Sequence, residues 1–244
     1  MKEGMFVTRK KYNHDIIFRI ISIKEGICKL RGEYVRLIAD APIDDLREVD
    51  MKEIKVEVKD EDLRVSNDVV KGTILHIDGD EYYLNKCLSA YKANKIPAVG
   101  IHMKESEMKD NITNLLIKYN PDILVITGHD KYNKERNEYE NSFNYIEAVK
   151  KARIYQPNKD SLIIFAGACQ SYYEGIIESG ANFASSINRV NINVLDPSFI
   201  AIQVANSRVE EYIDVKKILF NTVSKGRGLG GIDTKGVARK IYIG

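Results

Sequence analysis

Over residues 1–60 apolar and polar positions alternate in short bursts. Residues 5–9, 16–24, 27–31, 34–39 and 54–58 are rich in β-branched and aromatic side chains. Asn13-His14-Asp15, Glu25-Gly26, Gly32 and a turn centred on Pro42 separate them. Strands this short and this closely spaced predict a small SH3-like β-barrel over residues 1–60. Polar, acid-rich residues then interrupt the pattern, and 61–70 read as a linker.

From Lys71 the rhythm becomes strand, helix, strand, helix, which predicts an α/β domain over 71–244 with a mostly parallel sheet covered by helices. Residues 73–77 make a first strand and 96–101 a second. Between them, residues 80–94 form a helix with Tyr83, Leu84, Cys87, Leu88 and Tyr91 on one face. Residues 105–119 form the next helix, turning Met108, Ile112, Leu115, Leu116 and Tyr119 inward. Strands starting at Ile123 and Leu162 flank a polar loop and a helix over 141–153. A helix over 170–179 should end at Gly180. Residues 182–185, 197–205 and 209–223 then suggest a strand and flanking helices, and the glycine-rich 225–236 a loop. Gly226, Gly228, Gly230 and Gly231 superficially resemble a dinucleotide loop but neither follow a clear strand nor open a helix, so the phosphate argument lacks its context.

Two of the apolar runs end alike. Ile123 to Thr127 stop at Gly128 and present His129 and Asp130; Leu162 to Ala166 stop at Gly167 and, after Ala168, present Cys169, Gln170 and Ser171. Ligands of open α/β sheets bind outside the carboxyl ends of the strands. Adjacent parallel strands would therefore bring an imidazole and a thiol to one edge. Imidazole is the usual base or acid at neutral pH. A cysteine at the start of the helix over 170–179 would feel the positive end of its dipole, lowering the thiol pKa. Cys28, within a barrel strand, and Cys87, on an apolar helix face, are structural by the same reasoning. Among the other histidines, only His102 would also reach the carboxyl edge.

Composition narrows the setting. The 244 residues are 30% charged yet carry a net charge of only +2, so no global field argues for nucleic acid or an anionic membrane. Three cysteines without paired spacing fit reduced thiols in a cytoplasm better than disulfides or a zinc site. No signal peptide and no membrane-spanning run is expected.

Histidine first on one strand end, then cysteine preceded by alanine on the next, resembles the caspase-like group that includes legumain, clostripain and the gingipains. Gly167 two residues before the cysteine, and Asp130 after the histidine, depart from the caspase signature. A longer set of blocks is similar to the YabG family of sporulation-specific cysteine proteases of endospore-forming bacteria. Those blocks are His76-Ile77-Asp78-Gly79-Asp80, the run from Pro121 to Asp130, Phe165 to Ser171, Ser179 to Ser186, Arg189 to Ile192 and Gly228 to Ile232, which together span most of the chain. The loop between Asp130 and Asn141 is shorter than the family pattern, and Ile187 stands where that pattern has proline.

The resemblance implies a cysteine endopeptidase with His129 and Cys169 as its dyad. It also implies action late in sporulation, in the mother-cell cytoplasm and at the forming spore coat. Substrates would be spore coat and cortex-associated precursors, with arginine favoured before the cut. No metal or organic cofactor is required. An arginine in the first pocket wants a carboxylate. Asp78, leaving the first strand, is the leading candidate and Asp80 the next, with turn and helix-cap roles as the simpler alternative; Asp130 would face substrate or orient the base. Self-cleavage is expected after Arg64 in the linker or Arg227 in the glycine-rich tail. The competing reading is a non-enzymatic phospho-receiver or scaffold that docks coat proteins.

Overall fold

In the computed structural model, which describes residues 1–49 and 69–242, the chain divides into two units, Met1–Asp62 and Leu63–Gly244. The first holds β1 (Phe6–Arg9), β2 (Ile17–Lys24), β3 (Ile27–Gly32), β4 (Ile38–Pro42) and β5 (Leu46–Glu48), antiparallel in the order β4-β3-β2-β1-β5. Glu25 and Gly26 both take left-handed φ, 49° and 79°, giving the two-residue turn whose twist suits the β2–β3 hairpin. Val7, Phe18, Ile20, Cys28, Leu30, Ala41 and Leu46 form its core.

Two expectations change here, and a third falls outside the described residues. The strand expected at 34–39 lies at Ile38–Pro42, and Pro42 ends it rather than centring a turn. The described fifth strand is Leu46–Glu48; the strand expected at 54–58 lies outside the described residues, as do Arg64 and most of the expected linker. Among the described residues β4 and β5 do not pair, so the sheet is open where an SH3-like barrel was expected. Pro42, with no N–H to donate, blunts the outer edge of β4.

The second unit begins with β6 (Val69–Val70), β7 (Ile74–Asp78), α1 (Glu81–Ala93), β8 (Ala98–His102), α2 (Glu105–Tyr119) and β9 (Ile123–Thr127). A hairpin of β10 (Tyr132–Asn133) and β11 (Glu138–Tyr139) precedes α3 (Ser142–Tyr155), β12 (Ile163–Ala166), α4 (Tyr173–Glu178) and β13 (Phe183–Ser185). The chain closes with α5 (Asp196–Asn206), α6 (Val215–Phe220), β14 (Leu229–Gly231) and β15 (Arg239–Lys240), the last paired with β6. The main sheet runs β14-β13-β12-β9-β7-β8, parallel except for β14.

β7, β9 and β12 are buried along their whole length, as strands covered on both faces must be. Leu75, Ile77, Leu124, Ile126, Ile164 and Ala166 point to one face, against Met108, Ile112 and Leu116 of α2 and Tyr145, Ala148, Val149 and Ala152 of α3. Strand alternation turns His76, Asp78 and Thr127 to the opposite face, where α1 and α5 pack. At the amino edge Arg153 donates to the carbonyls of Gly180 and Leu162 and to Asn182 Oδ1; burial lowers its pKa to about 10. It ties the end of α3 to β12 and to the turn before β13.

Two further expectations are corrected. The glycine-rich tail is not all loop, because β14 lies within it; a strand of glycines carries no alternating pattern, and its register comes from β13, with Ser185 opposite Leu229. The helix expected from Gln170 starts at Tyr173 and has 6 residues, with Gln170 itself at φ 65°. Among the described residues no helix is long and apolar enough to cross a membrane.

Candidate functional site

The strand order reverses between β7 and β9, and the carboxyl ends of these strands, with that of β12 beside them, bound the crevice where such sheets bind ligands. Ile126 pairs with Ala166 across β9 and β12; His129 stands three residues beyond the first and Cys169 three beyond the second. The sheet therefore starts the two loops that carry these residues from neighbouring strands at matching heights.

Close packing dictates how His129 is held. A Cβ on Gly79 would stand 2.0 Å from Glu105 Oε1, and one on Gly128 would stand 2.4 Å from the same atom. The two strand-end glycines thus leave room for the first side chain of α2, and Glu105 Oε1 accepts the His129 N–H at 2.8 Å. That N–H is thereby engaged within the protein rather than offered to a ligand. Tyr145 Oη and Asn141 Nδ2 both donate to the His129 carbonyl. The ring lies near Tyr83, and its Nε2 is 2.9 Å from Asp80 Oδ2. The other Asp80 oxygen caps α1 by accepting the Tyr82 N–H, so one carboxylate serves a helix end and an imidazole together.

Cys169 lies in the turn after β12. Gly167 takes φ +116°, where a Cβ would press on Ser185 Oγ at 2.7 Å. Ser171 Oγ accepts the Ala168 N–H, and Ser185 Oγ donates to the Ala168 carbonyl. The residue is only 1% exposed, its thiol facing the Ile192 carbonyl at 3.8 Å. The helix-dipole argument for Cys169 fails, because α4 starts four residues later and is too short to project a field. Cys28 and Cys87 are buried in cores, and burial pushes the Cys28 thiol up.

Asp130 turns away from the ring. Its carboxylate accepts from the Lys131 and Asn141 N–H groups and from Ser142 Oγ, which in turn accepts the Tyr172 N–H. The loop after β9 is thereby tied to the loop after β12. Burial raises the Asp130 carboxyl above its usual range despite these bonds. A raised acid holds its proton more tightly folded than unfolded, so its stabilising contribution is full below the unfolded value and declines as pH rises through the folded one. Asp130→Asn removes that decline. The midpoint difference, variant minus wild type, is therefore expected to grow from about pH 4 to 7 in thermal melts. A constant difference would count against the assignment.

Asp78 is fully buried. Oδ2 accepts from Thr127 Oγ1 at 2.8 Å and Oδ1 from the Asp80 N–H at 3.0 Å, while His76, bonded to Tyr91 Oη, lies 3.5 Å from Oδ2. These bonds pin the residue that holds His129. Sequence reasoning placed Asp80 as a cap or a pocket acid; its contact with His129 needed the β7–β9 adjacency. Glu105 and Ser142 gave no signal beyond their positions at the starts of helices.

A parallel-sheet edge, with a histidine and a cysteine just beyond neighbouring strand ends, defines the class of site. Known proteins give the family: residues 2–71 and 66–242 match the family described as YabG peptidase U57. The chain is 41% identical to the sporulation-specific protease YabG of Bacillus subtilis (strain 168), over 97% of this chain and 96% of that protein. It belongs to the YabG peptidase U57 family. No solved structure matches it. Membership in a peptidase family sets the receiver or scaffold alternative aside.

Proposed function

We propose that this chain is a sporulation-specific cysteine endopeptidase working through His129 and Cys169. The observation that carries the reading is the matched exit of the two residues from paired strands, three positions beyond Ile126 and Ala166. His129 takes the Cys169 proton as the sulfur adds to a peptide carbonyl, then protonates the leaving amine; water hydrolyses the thioester. The Cys169 N–H serves the oxyanion. Asp80 orients the imidazole across the β7–β9 junction. The 41% identity to a sporulation-specific protease supports a role in sporulation; the mother cell at the forming coat as the setting, and coat and cortex-associated precursors cut after arginine as the substrates, are what the sequence resemblance implies.

The bonds made by Asp78 and Asp130 favour positioning roles over direct contact with a guanidinium. Arg227, exposed in a turn before β14, remains a candidate for self-cleavage. We read the amino-terminal sheet as an SH3-like module, on its five short antiparallel strands. Labelling with an iodoacetamide probe and mapping the modified peptide tests the chemistry. Cys169 should label ahead of Cys28 and Cys87, with activity falling in proportion. Full modification of Cys169 without loss of peptidase activity would overturn the reading.

A further inference from the structure

The cover over Cys169 has its own fastening. Residues 186–192 leave β13 and pass across the cysteine loop: Ser186 Oγ accepts the Gln170 N–H at 2.6 Å and donates to the Val190 carbonyl at 2.8 Å, before the Ile192 carbonyl meets Sγ. Ser186, Asn188 and Arg189 hold left-handed φ of 78°, 55° and 58°. Non-glycine residues stay there only when their surroundings hold them. Asn191 Oδ1 is buried with no hydrogen-bond partner among the described residues, so the closed arrangement leaves an acceptor unmet.

Arg189 supplies the hold. Its guanidinium lies 4.0 Å from the Tyr132 ring centroid and 5.6 Å from that of Tyr139, and its Nε donates to Tyr139 Oη at 3.0 Å. The platform is joined to the cysteine loop, because the Tyr132 N–H donates to Gln170 Oε1 and Tyr139 stacks on Tyr172. Two aromatic faces and a hydroxyl acceptor suit a flat, multidentate cation better than an ammonium. The contact faces solvent, which keeps it weak enough to be exchanged.

We infer that Tyr132 and Tyr139 form a seat for a guanidinium group, that Arg189 fills it in the resting chain and straps residues 186–192 over Cys169, and that an arginine side chain of the substrate opens the site by taking its place. The inference rests on the cysteine-peptidase reading above. Its test is the rate at which iodoacetamide alkylates Cys169 in the full chain, followed by peptide mapping. Arg189→Ala should raise that rate about tenfold, the scale of one exposed cation–π contact plus one hydrogen bond. Tyr139→Phe, which keeps the ring, should raise it less. N-acetyl-arginine amide should accelerate alkylation of the wild type but not of Arg189→Ala. In peptidase assays Arg189→Ala should keep its preference for arginyl over leucyl peptides and Tyr132→Leu should lose it, a split that a merely structural contact would not produce. Equal alkylation of wild type and Arg189→Ala, or an arginine preference surviving Tyr132→Leu, overturns the inference. Failure of the underlying reading looks different, since proteolysis would then persist in Cys169→Ala.

Discussion

Cys169→Ala is expected to lower peptide hydrolysis by about four to six orders of magnitude, the scale seen when a covalent nucleophile is removed. His129→Ala should fall nearly as far, and the double variant hardly further, because the two groups act as one unit. Stability should change little. Replacing a buried thiol with a methyl group costs about 1 kcal/mol, and His129 is partly exposed beyond the end of its strand. Activity toward a precursor, read beside circular dichroism and thermal melts, separates the effects. A folded Cys169→Ala protein that cuts at the wild-type rate would end the thiol mechanism. Losses in the double variant equal to the product of the two single losses would mean that the residues work apart.

Asp80→Asn should reduce kcat by about two to four orders of magnitude while KM and the thermal midpoint hold. The reasoning uses both oxygens of one side chain. Asparagine is as good a helix cap as aspartate, so the bond to the Tyr82 N–H and the start of α1 survive. What is lost is the negative partner of His129 Nε2, 2.9 Å away, which fixes the ring's orientation and stabilises its charged form during the reaction. Asp80→Ser, another competent cap, should show the same loss of kcat. Unchanged kcat in both variants would leave Asp80 as a cap alone, and a falling midpoint would show that the cap had been disturbed.

How far the sequence could be read depended on how local each feature was. α1 and α2 were legible because their inward faces repeat with helical period and Asp80 and Tyr119 mark an end of each. The strands before His129 and Cys169 were legible as apolar runs ending in glycine. Their adjacency and matched height lie in the register of β9 on β12, which no single segment encodes. β14 was missed because Gly230 and Gly231 offer no pattern; its partner defines it. Tyr34 looked like a strand residue by propensity, yet the ladder forms later, at Ile38–Pro42. The contacts of Asp80 with His129 and of Arg189 with Tyr132 and Tyr139 join segments about fifty residues apart, so only the folded chain reveals them.

The glycines at the ends of β7 and β9 and the first side chain of α2 make one packing unit. With Glu105 Oε1 in the space that a methyl group would need at Gly79 or Gly128, an alanine at either position pushes the carboxylate aside and breaks its bond to the His129 N–H, and a shorter residue at 105 would strand the same N–H. A change at any one of the three therefore unsettles the same histidine loop. The glycine of each strand-end motif is thus a record of a glutamate that neither motif contains.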